Sequence, residues 1–161
     1  LIKDVYERQE RIIHNRDKLE ELLVRAHIEA RHAWDYGAEE GQMDDILHLI
    51  RHAQWRWDYA AASHGGSFHS PVEAGRVIST GIIKVEEARI KLARLLASLG
   101  HNEEIPYPDI STKAKAQAFI GLDMARLNSE KSEFLQTIVP EWIKEGKVRE
   151  SKWDEERKLK D

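Results

Sequence analysis

The chain has 161 residues, enough for one domain with a modest core; 41% hydrophobic and 34% charged residues, with only 9 Gly and 4 Pro, describe a helix-rich chain rather than a sheet sandwich. A net charge of −4, with acidic and basic residues alternating, argues against a general nucleic-acid binder, and no run approaches the roughly 20 apolar residues needed to span a bilayer. The absence of cysteine excludes disulfides, thiolate metal sites and a covalent c-type haem of its own, because haem attachment needs Cys-x-x-Cys-His.

The first expected helix runs from Ile2 to about Trp34. Its apolar residues, Val5, Ile12, Ile13, Leu19, Leu22, Leu23, Ala26 and Ala30, recur near helical spacing. An unbroken helix of that length, about 50 Å, projects beyond a small domain and invites a partner helix. Gly37 to Gly41 (GAEEG) reads as a short connection, with Gly37 closing the first helix. A second helix is expected from about Met43 to Ala62, burying Ile46, Leu47, Leu49, Ile50, Ala53, Trp57, Ala60 and Ala61. The segment His64 to His69 (HGGSFH) is the least helical so far.

Ser70, Pro71 and Glu73 together form a helix-start signal: a cap, a proline at the first position and a capping-box acid. The third helix should run to Leu99 and end at Gly100. His101 to Ile110, with Pro106 and Pro108, reads as an extended crossing. A fourth helical region opens near Ser111 or Thr112; Gly121 should bend it and Pro140 should kink or interrupt it. The fold class expected is all-α, a bundle of about four long, largely antiparallel helices. The expected division is a helical domain over 1–146 and a charged, frayed tail over 147–161. With Leu1 first and no charged stretch leading into an apolar run, the chain reads as a piece of something longer.

Several residue patterns carry possible chemistry. Glu29 with His32, and Asp45 with His48, have the i, i+3 spacing of di-metal carboxylate bundles, and Glu73 with Glu86 or Glu87 could add carboxylates. In a chain this charged such spacing also arises by chance. His48 and His52, at i, i+4, could share one metal or simply mark a surface; His14, His27 and His101 have no evident partner. Trp55 and Trp57, two positions apart, point to different helix faces, so either the second helix packs on two sides or one indole meets a partner. Arg51, His52, Trp55 and Trp57 are candidate interface residues on the second of these readings, and an ordinary core with one exposed indole stands beside it. The His64–His69 loop offers glycines for close approach and Phe68 as an apolar wall. His69 suits two roles: an axial haem ligand presented from a rigid edge, or a hydrogen-bond partner of a helix end. Nucleophile elbows, phosphate-binding glycine loops and zinc-protease motifs are missing.

Five strings go further: Leu22 to Trp34 (LLVRAHIEARHAW), Ile50 to Asp58 (IRHAQWRWD), Ala62 to Gly65 (ASHG), Ala93 to Ala97 (ARLLA), and Pro108 to Lys113 (PDISTK) followed by Lys115 to Gln117. In order and nearly without gaps, over about residues 20 to 142, they resemble the C-terminal helical region of the ammonia-forming pentahaem cytochrome c nitrite reductases. The resemblance implies a periplasmic, six-electron reduction of nitrite to ammonia by a homodimer packed through long C-terminal helices, with haem c and calcium in the parent enzyme. The haem-attachment motifs and catalytic residues belong to a haem-bearing N-terminal part outside this chain, so this chain alone should bind no cofactor and be inactive. A membrane-linked or soluble multihaem donor would supply electrons to the parent, and neither nucleic acid nor membrane insertion is implied. By position the resemblance makes His69 the distal axial ligand of a bis-His relay haem. Some relatives carry a second histidine where this chain has Ser67.

Overall fold

The computed structural model describes residues 2–63 and 65–158. All regular structure among them is helical: α1 (Ile2–Asp35), α2 (Glu40–Ala62), the single turn α3 (Gly66–His69), α4 (Pro71–Ser98), α5 (Lys113–Phe119) and α6 (Met124–Lys158). The expected all-α class is observed. The chain divides into two units, Leu1–Tyr107 and Pro108–Asp161.

The first unit is built on three long helices. Leu19, Leu23, Ala26, Ala30 and Ala33 of α1, Met43, Ile46, Ile50 and Ala53 of α2, and Ile78, Val85, Ala88, Leu92 and Leu96 of α4 are buried together. Their three- and four-residue steps place each set on one helix face, which must meet apolar neighbours to leave water. Cross-helix contacts give the directions. Glu29 meets Arg89 and Leu19 lies beside Gly81, so α1 and α4 run the same way. Asp45 meets Lys91 and Arg56 lies beside Gly81, so α2 runs against α4. The order is up, down, up.

Glycine ends two of these helices as expected. Gly37 (φ +88°) follows α1 and Gly100 (φ +90°) follows α4, both in the left-handed region that a side chain resists. Helix α2 begins three residues earlier than Met43, because the Gln42 side-chain oxygen accepts from the Glu39 backbone N–H at 2.9 Å and holds the first turn. The expected capping box at Ser70 is not formed. Pro71 does take the first position of α4, but the Ser70 hydroxyl caps nothing and Glu73 is held by Arg76 instead. Ser70 also terminates α3, its N–H donating to the Gly66 carbonyl at 3.0 Å, and this sets its backbone away from capping geometry.

After α4 the chain is irregular from His101 onward, as expected, before entering the second unit. There the Thr112 hydroxyl accepts from the Lys115 N–H at 3.3 Å and opens α5. Asp109 pairs with Lys115 and accepts from the Ser111 N–H at 3.0 Å; the Lys115 contact first, then Ser111, hold its carboxyl down at about 2. Gly121 (φ +71°) does more than bend the helical region: it separates α5 from α6. Pro140 does not interrupt α6, since the carbonyl that loses its donor belongs to exposed Gln136, where water can replace the bond. The boundary expected between 146 and 147 falls inside α6, and the Glu-, Lys- and Arg-rich stretch after it favours helix. Positions 159–161 of that charged tail lie outside the described residues.

Candidate functional site

The connection between α2 and α4 is tightly tied. The Ser63 N–H and hydroxyl both donate to the Tyr59 carbonyl, at 3.1 and 2.7 Å, ending α2. Gly66 then donates to the Ser63 carbonyl at 2.9 Å, and Phe68 and His69 both donate to the Gly65 carbonyl, at 3.1 and 2.8 Å. His64, which opens the segment singled out above, lies outside the described residues. Both glycines are there for room. A Cβ on Gly65 would sit 3.0 Å from Cδ2 of the His69 ring, and one on Gly66 would sit 3.1 Å from the Ser63 Cβ.

His69 ends the α3 turn with its side chain exposed. Its ring lies over Gly65 and meets Phe68 edge to face, with centroids 4.9 Å apart at 88°. Phe68 is itself 56% exposed, so an aromatic edge and an imidazole stand side by side on the surface. An axial haem ligand must offer a ring nitrogen outward, in a fixed orientation, beside apolar surface. The exposed ring and the Phe68 wall meet part of that requirement, while the Cδ2–Nε2 edge faces Gly65, where a Cβ would sit 3.0 and 3.7 Å from those two atoms. Beside the loop lies a cleft of about 260 Å³ reaching from Ile12 and Arg16 to Tyr59 and Ser70.

The paired acid–histidine motifs do not assemble. The Glu29 carboxylate is occupied by Arg89, whose Nε donates to both oxygens at 2.9 and 3.0 Å and whose Nη2 donates to one at 2.6 Å; the Tyr107 hydroxyl donates to it as well. His32 faces His101 across 6.4 Å, and His101 packs on Tyr36 at 4.6 Å. Asp45 is held by Lys91, which keeps its carboxyl below the usual carboxylate range. Among the described residues, no three His, Asp or Glu side chains are gathered to hold a metal. Cations on α4 instead hold both carboxylates, Arg89 on Glu29 and Lys91 on Asp45.

The Glu29–Arg89–Tyr107 cluster was not foreseen. It ties α1, α4 and the segment after α4 together, with the Arg25 guanidinium 4.8 Å over the Tyr107 ring. Glu29 is 7% exposed, and a carboxylate that deep is tolerable because every bond it loses to water is replaced by a charged or hydroxyl donor. Burial, then the hydrogen bond to Glu29, push the Tyr107 phenol up, and the Glu29 partner raises Arg89.

On α2 the two indoles do point apart. Trp55 is 64% exposed and stacks on Tyr59 at 6.1 Å, whereas Trp57 packs against the core with its Nε1 buried and unpartnered among the described residues. Arg51 and His52 are exposed. A larger apolar surface, unremarked in the sequence, lies on α6. Phe134, Leu135, Ile138 and Trp142 are all exposed there, with Phe134 and Trp142 edge to face at 5.4 Å.

Comparison with known proteins bears on all of this. A family profile described as Cytochrome c552 matches residues 1–152. Proteins named Cytochrome c-552 are similar: one from Parabacteroides distasonis is 53% identical over 146 residues, covering 91% of this chain and 30% of that protein. One from Porphyromonas gingivalis is 52% identical over 147 residues, with the same shares, and one from Bacteroides thetaiotaomicron is 52% identical over 148 residues, covering 92% and 30%. The chain thus spans about 30% of the length of the curated relatives it matches.

Proposed function

This chain belongs to the cytochrome c552 family, and from that premise we propose that it is the C-terminal helical part of an ammonia-forming, multihaem nitrite reductase. In that protein it presents His69 as the distal axial ligand of a bis-His relay haem. The observation that carries this reading is the exposed His69 ring, laid over Gly65 and walled by Phe68. A haem iron held by two imidazoles is six-coordinate and so passes electrons on instead of taking substrate.

The chain's own contribution is positional. The Gly65 carbonyl, accepting from the Phe68 and His69 N–H groups, fixes where the imidazole leaves the backbone. Phe68 packs edge to face against the ring on one side. The rigid edge comes from Pro71, which starts α4 immediately beyond. Haem c and calcium would be held by the haem-bearing N-terminal part of the same protein, in the periplasm, with a multihaem protein as electron donor. The reading is tested on the full-length protein with nitrite and a reduced viologen. Each nitrite should take six electrons and eight protons and appear as one ammonium and two waters; nitrite left unconsumed, or nitric oxide as the product, contradicts it.

The same protein is proposed to be a homodimer. Support comes from the exposed apolar residues of α6, with Trp55, Arg51 and His52 of α2 as further contact candidates and Trp57 already engaged by its own core. Burying Trp142 and its neighbours against a second copy removes apolar area at about 25 cal/mol per Å². Trp142→Glu in the full-length protein should sediment as a monomer at concentrations where the parent sediments as a dimer. A variant that remains dimeric rules out the α6 contact.

A further inference from the structure

One pair of side chains takes no part in the core or in the proposed haem contact, although its second member, His52, is also among the dimer-contact candidates. His48 and His52 stand one turn apart on α2, both exposed, with their Nε2 atoms 2.7 Å from each other and ring centroids 4.4 Å apart. On a helix, positions i and i+4 share a face, and here the two Nε2 atoms are turned toward each other within hydrogen-bond distance.

The geometry points to a metal site: we propose that His48 and His52 form a two-imidazole chelate for one divalent transition-metal ion of the copper–nickel–zinc class. With metal–nitrogen bonds of roughly 2.0–2.1 Å, two ligands at a right angle lie about 2.9 Å apart, whereas tetrahedral ligands lie about 3.3 Å apart. The 2.7 Å between the rings is a hydrogen-bond separation, and a small opening reaches the right-angled spacing that tetragonal copper(II) and nickel(II) prefer. The pair also exists with the correct lone pairs nearly free. In the metal-free protein one ring donates an Nε2–H to the other; moving that proton to Nδ1 of the same ring frees both Nε2 lone pairs with no net proton lost.

The surrounding charge neither forbids nor dominates binding. Asp44 precedes His48 by one turn on the same helix. Asp45 is already committed to Lys91, while Lys84, Arg51 and Arg56 lie close enough to act on His52. With two neutral imidazoles and water completing the shell, affinity belongs in the micromolar range, well short of a structural zinc site. This site does not depend on the haem reading, since His69 and its loop take no part in it.

The test is calorimetric titration of the 161-residue chain with nickel(II) in a weakly coordinating buffer at neutral pH, alongside His48→Ala, His52→Ala and, as a control, His27→Ala. All three histidines are exposed, so each variant should keep the parent's helical circular dichroism. One ion per chain is expected, with affinity falling about tenfold or more in either of the first two variants, because the second imidazole binds intramolecularly, and unchanged in the third. Copper(II) loaded at one equivalent should show electron paramagnetic resonance coupling to two equatorial nitrogens, reduced to one by either substitution. Absence of one-to-one binding by the parent, or variants within about threefold of it, overturns the proposal.

Discussion

Gly81→Val should destabilise the first unit by about 3 kcal/mol, because overpacking a filled core costs roughly 1–3 kcal/mol and a β-branched side chain reaches further than a methyl. A Cβ placed on Gly81 would stand 2.7 Å from Leu19 Cδ2 and 3.4 Å from both Leu19 Cδ1 and the Arg56 Cβ. Leu19 is 0% exposed and cannot swing into solvent to make room. Helix propensity opposes this loss, since replacing glycine in a helix interior gains at most about 1 kcal/mol. The clash wins. For a unit of this size the melting temperature should fall by roughly 10–20 °C. Leu19→Ala removes the opposing methyls, so it should cost less in the Gly81→Val background than in the parent. That non-additivity, read from urea unfolding of the four chains, separates close helix approach from a general intolerance of change. Equal costs in both backgrounds contradict the contact.

The reason Gly81 matters is also the reason it escaped the sequence reading. Spacing identifies which face of α4 is buried, and Ile78, Val85, Ala88 and Leu92 lie on it as a period near 3.5 requires. How closely α1, α2 and α4 approach depends on which residues face one another, and that register is not written in any one helix. The same limit hid Arg89 as the partner of Glu29, 60 positions away, and left Glu29 to be read through its local neighbour His32. Local signals performed better. Gly37 and Gly100 end helices where expected, and Pro71 opens one, because those effects are set by a residue's own backbone preferences.

At the candidate site, the order of helices and the position of the loop were legible, as was the separation of Trp55 from Trp57. The role of Gly65 was legible only in kind. Glycine announces close approach, but that the approaching group is the His69 ring at 3.0 Å required coordinates. The apolar surface of α6 was partly obscured by charge: Phe134, Leu135, Ile138 and Trp142 are interspersed with Glu, Lys and Thr, and Pro140 drew attention to a break that does not occur. The resemblance supplied what neither spacing nor burial could, namely the proposal that the ring faces an iron carried by another part of the polypeptide.

That claim concentrates on one side chain, and replacing it should have a large effect of a different kind. Nothing in the first unit's core depends on the exposed His69 ring, so His69→Ala should leave folding and haem content intact. A haem that loses its distal imidazole becomes five-coordinate or takes up water, and its spin state changes. The measurement is the visible and electron paramagnetic resonance spectrum of the full-length His69→Ala protein against the parent at equal haem content. One low-spin centre should be replaced by a high-spin signal, with ammonium formation sharply slowed and the remaining haems unchanged. A variant whose every haem signal matches the parent would contradict the account.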